Sequence, residues 1–209
     1  MKALGLAGVL LVLSVAAAAQ TTVYTDEASY LAALAAGGYQ QLLEGFEGAA
    51  WAGVRTTVGG PAHTAPSITS NGITWSASEG ITTNNLFAFE GTWRVHDHPA
   101  GDPDLLFGSS SVTLYGGGGW FTTTTTTTVR VVLDGALVDG GSTTIDSGWS
   151  FLGVIAPAGF TAFEIRDTDA TALDPKQWFA DAFTFAVAGG AVNHAPNGVI
   201  TAPIGNVTV

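Results

Sequence analysis

After Gly37-Gly38 the chain is a succession of short β-branched and aromatic runs, cut by glycine, proline, asparagine and aspartate. Runs of that length, separated by turn residues, read as strands. The candidates are Gln41–Glu47, Gly72–Ser78, Leu86–Phe89, Ser111–Tyr115, Trp120–Leu133, Ala136–Val138, Trp149–Ile155, Phe160–Asp167 and Trp178–Val187. Asp134-Gly135 lies between two of them and has the chemistry of a two-residue hairpin turn. A single segment has helical spacing: Tyr30, Leu31 and Leu34, with Thr25 or Asp26 as N-cap and Gly37-Gly38 as terminator. Many short strands and one short helix predict an all-β chain, an antiparallel β-sandwich or jelly roll.

The first nineteen residues have a different character. Lys2 precedes an apolar run from Ala3 to Ala19 that ends in small residues, with Ala17 and Ala19 in the positions signal peptidase prefers. We therefore expect a cleaved leader over residues 1–19, a β-domain over 20–188 and a distinct tail over 189–209. No later run has the roughly 20 apolar residues a spanning helix needs, so stable membrane insertion after cleavage is not expected. Cysteine is absent, which excludes a disulfide framework and thiolate chemistry. With 17 acids against 6 basic residues, the net charge of −11 argues against nucleic acid, whose phosphates require clustered Lys and Arg.

Thr122–Thr128 is a run of seven threonines flanked by Phe121, Val129, Val131 and Leu133. The flanking residues share odd parity. In one continuous strand they would all face the core.

Few side chains suggest catalysis. No Gly-x-Ser-x-Gly elbow occurs, and scattered carboxylates are no evidence for a glycosidase pair. The densest polar segment runs from Trp93 to Asp104. Within it His96 and His98 are two apart and could bind zinc on one strand face, with His63 or His194 as a third ligand. Asp97, Asp102 and Asp104 could instead offer oxygens to calcium, and a plain solvated loop is the simplest reading. Among six tryptophans, Trp75, Trp120 and Trp178 fall in core phase, whereas Trp51, Trp93 and Trp149 adjoin turn residues. The candidate ligand surface is therefore Trp93, His96, His98 and Trp149.

A series of phrases resembles a bacterial secreted β-sandwich of PEP-CTERM-type, exopolysaccharide-associated proteins. They are Tyr24–Leu34, Gly45-Phe46-Glu47, Gly72–Trp75, Gly118–Phe121, Phe151–Ile155, Phe160–Arg166 and Phe179–Ala186. The resemblance implies a jelly roll shaped like carbohydrate-binding modules and lacking catalysis, although the Pro-Glu-Pro sorting tail is missing here. It also implies a structural calcium ion between Glu47 and Asp181, acids of an early and the last strand. The end of the chain, NHAPNGVITAPIGNVTV, is similar to the start of a polycystic-kidney-disease-type immunoglobulin-like repeat. Its strand Val199–Val209 would be free to pair with a second copy. The expected function is thus an extracellular or cell-surface binding module for polysaccharide or matrix. The alternatives are a self-assembling filament subunit and a glycan-active enzyme.

Overall fold

The computed structural model describes residues 20–97, 105–168 and 177–189. The expected leader, His98, Asp102, Asp104, His194 and the strand Val199–Val209 lie outside the described residues. Twelve strands and one α-helix are present among them: β1 (Thr22–Tyr24), α1 (Glu27–Ala36), β2 (Gln40–Glu44), β3 (Arg55–Thr56), β4 (Ile68–Ser70), β5 (Ile73–Ala77), β6 (Ile81–Asn84), β7 (Arg94–Asp97), β8 (Leu105–Thr123), β9 (Thr127–Leu133), β10 (Ala136–Ile145), β11 (Ser150–Asp167) and β12 (Trp178–Val187). A 3-10 helix, Ala49–Val54, leads into β3. No helix among the described residues is long and apolar enough to cross a membrane.

The two longest strands organise the molecule. β8 and β11 pair antiparallel, and their register shifts around Phe160, which faces Leu114 just before Ala162 faces Ser109. Pro157, which has no N–H for the ladder, and Gly159, at φ 79°, mark the bend on β11. The shift divides each strand into two arms. The N-terminal arm of β8 lies between β5 and the C-terminal arm of β11, which β9 and β10 extend. The C-terminal arm of β8 lies between β12 and the N-terminal arm of β11, which β1 borders. β12 then carries β2 along Phe183–Val187 and meets β7 at Ala180, followed by β6 and β3. Every pairing is antiparallel except the two-residue contact of β3 with β6.

Rings from the two layers meet in the core. Trp75 on β5 lies 5.2 Å from Phe183 and 5.8 Å from Phe185 of β12, centroid to centroid, and Phe163 of β11 is 5.1 Å from Phe185. Such aromatic pairs contribute about 0.5–1.5 kcal/mol each beyond area burial. The protein is therefore an antiparallel β-sandwich, as expected.

Gly116–Gly119 supplies the space. A Cβ at Gly119 would stand 2.9 Å from the Phe183 ring on the core side, and one at Gly118 would stand 2.8 Å from Phe151 on the other side. That outer side is roofed by α1, whose Tyr30 donates its hydroxyl hydrogen bond to the Thr184 carbonyl at 2.9 Å. Asp26 caps α1 by accepting from Ser29 N at 2.8 Å, as its position before the helical repeat suggested.

Several expected strands fall differently. The threonine run is not one continuous strand: β8 ends at Thr123 and β9 begins at Thr127, so Thr124–Thr126 form the connection. Phe121 and Val129 do both reach the core, but from two strands separated by β11. The equal parity on either side of the run is satisfied by two separate strands. Ser111–Tyr115 belongs to β8, and Trp149–Ile155 and Phe160–Asp167 merge into β11, because the intervening Gly and Pro residues bend the strands without ending them. Leu86–Phe89 is loop, and Arg94–Asp97 is strand β7 where a solvated loop was the simplest reading. Asp134-Gly135 forms the β9–β10 turn with φ 46° and 81°.

Candidate functional site

β12 creates the site by a break in its alternation. Trp178, Ala180, Phe183 and Phe185 all join the core, an arrangement that strict period-two geometry forbids. The break is a bulge: Asp181 pairs with Trp120, Thr184 pairs with Gly118, and Ala182 between them sits at φ 49°. Phe179 and Asp181 consequently face away from the core, toward the segment that links β6 to β7.

That segment is irregular and is held by carboxylates at two points. Asp181 Oδ2 accepts from Phe89 N at 2.8 Å and Glu90 N at 3.1 Å, and Oδ1 accepts from Ala182 N at 2.7 Å. Glu47 Oε1 accepts from Trp93 N at 2.7 Å and from Thr92 N. Asp181 is fully buried. Desolvation pushes its carboxyl up to about 6 despite the three amide donors, and the negative charge of Glu47 adds to the rise. Glu47 and Asp181 therefore both hold this loop, with Asp181 Oδ1, Asp181 Oδ2 and Glu47 Oε1 each accepting backbone N–H. Among the described residues no group of three or more His, Asp or Glu is arranged to hold a metal.

The loop so held carries Phe87 and Phe89. Phe87 is 77% exposed and adopts φ 52°, a strained conformation for a bulky residue. Phe89 stacks on Trp120 at 4.2 Å and 16°, and Trp149 meets Phe89 edge-on at 5.6 Å. Beside these rings opens a cleft of about 320 Å³, lined by Phe87, Trp149, Phe179, Arg94, Thr122–Thr124 and Ser147. A second cleft of about 240 Å³ adjoins it across Leu86 and Phe179, with Thr82, Asn84 and His96 in its wall. Neither is lined by a carboxylate among the described residues.

Arg94 of β7 is the cation of the first cleft. Its guanidinium carbon lies 3.4 Å from the Phe179 ring centroid, and its Nε donates to Asn84 Oδ1 at 3.1 Å. Burial lowers its pKa to about 10, partly offset by the charge of Asp181, so it stays protonated at neutral pH.

Of the residues singled out from sequence, Trp149 lines the first cleft. His96 is buried in the second, 5.1 Å from Phe179. Trp93 lies apart, half-buried beneath the Arg55 guanidinium at 5.2 Å. His63 is exposed. Trp51, expected near the surface, is fully buried against Phe46 at 4.9 Å, and Trp120 lies on the outer face under Phe89. Phe87, Phe89 and Arg94 were missed. The one available signal was the alternation Arg94-Val95-His96-Asp97, which has strand period.

No protein-family model and no curated protein matches the chain. Among solved structures, it is similar to the CBM22-1 xylan-binding domain of Paenibacillus barcinonensis Xyn10C. That similarity has 12% identity and a TM-score of 0.43, over 59% of this chain and 90% of that one. It is also similar to the CBM22-1-CBM22-2 tandem of the same protein, with 11% identity and a TM-score of 0.46, over 77% of this chain and 48% of that one. A family 43 arabinoxylan arabinofuranohydrolase from Bacillus subtilis matches at 14% identity and a TM-score of 0.35, over 54% and 27% of the two chains.

Proposed function

We propose that this protein is a non-catalytic polysaccharide-binding module working outside the cell, on a cell surface or in an exopolysaccharide matrix. The extracellular setting rests on the leader-like residues 1–19. The binding role rests on one observation: Phe87, exposed and strained on a loop fixed by two carboxylates, stands with Trp149 at the rim of a cleft with a polar wall. A flat ring suits the apolar face of a sugar, and Phe87 is held open at the cleft rim by its loop. Thr124 and Ser147, both exposed, offer hydroxyls at the same rim. Among the described residues neither cleft is lined by a carboxylate pair of the kind two-carboxylate glycoside hydrolysis uses.

Affinity electrophoresis through gels containing single polysaccharides tests the proposal. At least one polymer should retard the protein, and Trp149→Ala or Phe87→Ala should weaken retention about 10-fold or more. Trp93→Ala, away from the cleft, should not. Release of new reducing ends from the retained polymer would overturn the non-catalytic reading.

A further inference from the structure

Arg94 is one of only six basic residues in a chain with 17 acids, yet it is 2% exposed. Burying a guanidinium is expensive unless its charge and its donors are matched. Here only part of that demand is met. Nε is bound by Asn84, and the Phe179 ring covers one face. Nη1 and Nη2 have no acceptor among the described residues, and no carboxylate of those residues lies within ion-pair distance. Asp181 acts on the cation through space, but its oxygens are taken by amides of the loop. Four N–H donors of a fixed planar fork are thus left in the wall of the 320 Å³ cleft, whose rim carries Trp149 and Phe87.

We propose that the cleft binds a uronic-acid residue of an acidic polysaccharide, with the sugar carboxylate paired to Nη1 and Nη2 of Arg94. This deepens the polysaccharide-binding reading and rests on it. The fork matches a carboxylate bidentately, the low-dielectric wall strengthens the pair, and the ring bearing the carboxylate lies against the aromatic rim. The chain's overall charge of −11 opposes the approach of any polyanion. A preference for the acidic polymer therefore has to come from a local site and not from the general field.

The test compares a uronate polymer, such as glucuronoxylan or oligogalacturonate, with the same material after carboxyl reduction, by calorimetry at moderate salt. The wild type should prefer the uronate form. Arg94→Gln should reduce that affinity roughly 10- to 100-fold and leave the carboxyl-reduced form unaffected. Arg94→Lys, which keeps charge but loses the fork, should fall between. Circular dichroism on each variant separates misfolding from lost binding, and should Arg94→Gln misfold, the Arg94→Lys ratio decides. Equal affinity of the wild type for both forms overturns the uronate site while leaving polysaccharide binding standing. So does an equally tight complex with dextran sulfate, which offers charge without a carboxylate. No binding to any polymer overturns both readings.

Discussion

The Asp181 carboxylate, turned outward by a bulge in β12, accepts the backbone N–H of Phe89 at 2.8 Å. One buried acid thereby links the last strand to the aromatic loop of the proposed binding site. Burial places its pKa near 6, above the usual carboxylate value of 3.8. A folded-state value raised in this way favours the protonated form. The associated stability is fully present below about pH 4, is lost as pH rises to about 6, and is constant above that. The whole change is at most about 3 kcal/mol. Asp181→Asn should lose the Ala182 contact and some stability at all pH values. The wild-type-minus-variant difference in unfolding free energy should shift between pH 4 and 6. A difference that stays flat across this range would mean Asp181 is ionised in the fold at an ordinary pKa.

The paired arms of β8 and β11 leave no room at Gly118. An added Cβ would stand 2.8 Å from Phe151 and 3.0 Å from the Gly153 backbone. Gly118→Ala should cost about 1–3 kcal/mol as an overpacking change. Gly45→Ala, with nothing within 4 Å and no positive φ, should change stability little. Chemical denaturation of both variants checks the contrast, and equal midpoints would mean the outer face is looser than its contacts imply.

Legibility from sequence followed locality. The Asp26 cap, the Asp134-Gly135 turn and β12 depend on residues a few positions apart, and each was readable. Gly116–Gly119 fell between the expected strands Ser111–Tyr115 and Trp120–Leu133, because four glycines have no side-chain alternation to show. They are strand interior because Tyr30 and Phe183 arrive from distant segments to fill the space. The threonines have β propensity everywhere along the run, so composition could not mark where the chain turns. Arg94 was hidden for a similar reason. Its burial depends on Phe179 and Asn84, and Phe179 faces outward near the Ala182 bulge, which no local pattern announces. The resemblance named Glu47 and Asp181 as ligands of a calcium ion, and the loop amides that both carboxylates accept from had no signal in the sequence.

Trp75 joins the two layers, touching Phe46, Phe163, Phe183 and Phe185 with its ring. Its Nε1 is buried without a hydrogen-bond partner. Trp75→Ala should therefore cost about 3–5 kcal/mol through the cavity alone. Trp75→Phe loses no hydrogen bond and should cost clearly less. If the two variants unfold at the same denaturant concentration, the indole contributes by something other than packing.

Calcium provides the last test, at Glu47 and Asp181. The ion takes six to eight oxygens, whereas the groups crowding these carboxylates are the N–H donors of Phe89, Glu90, Thr92, Trp93 and Ala182. Their hydrogens carry partial positive charge toward the carboxylates, which is how a cation would be replaced. A metal ligated by Asp181 Oδ1 or Oδ2 or by Glu47 Oε1 would compete with bonds that now hold the loop. Thermal unfolding in millimolar calcium and in chelator should then give the same midpoint, because a ligand that does not favour the folded form cannot stabilise it. Glu47→Gln should lower the midpoint equally in both conditions, through weakened acceptance from Thr92 and Trp93. A calcium-dependent rise in the wild type, absent in Asp181→Ala, would instead establish the ion and require the loop amides to turn away when it binds.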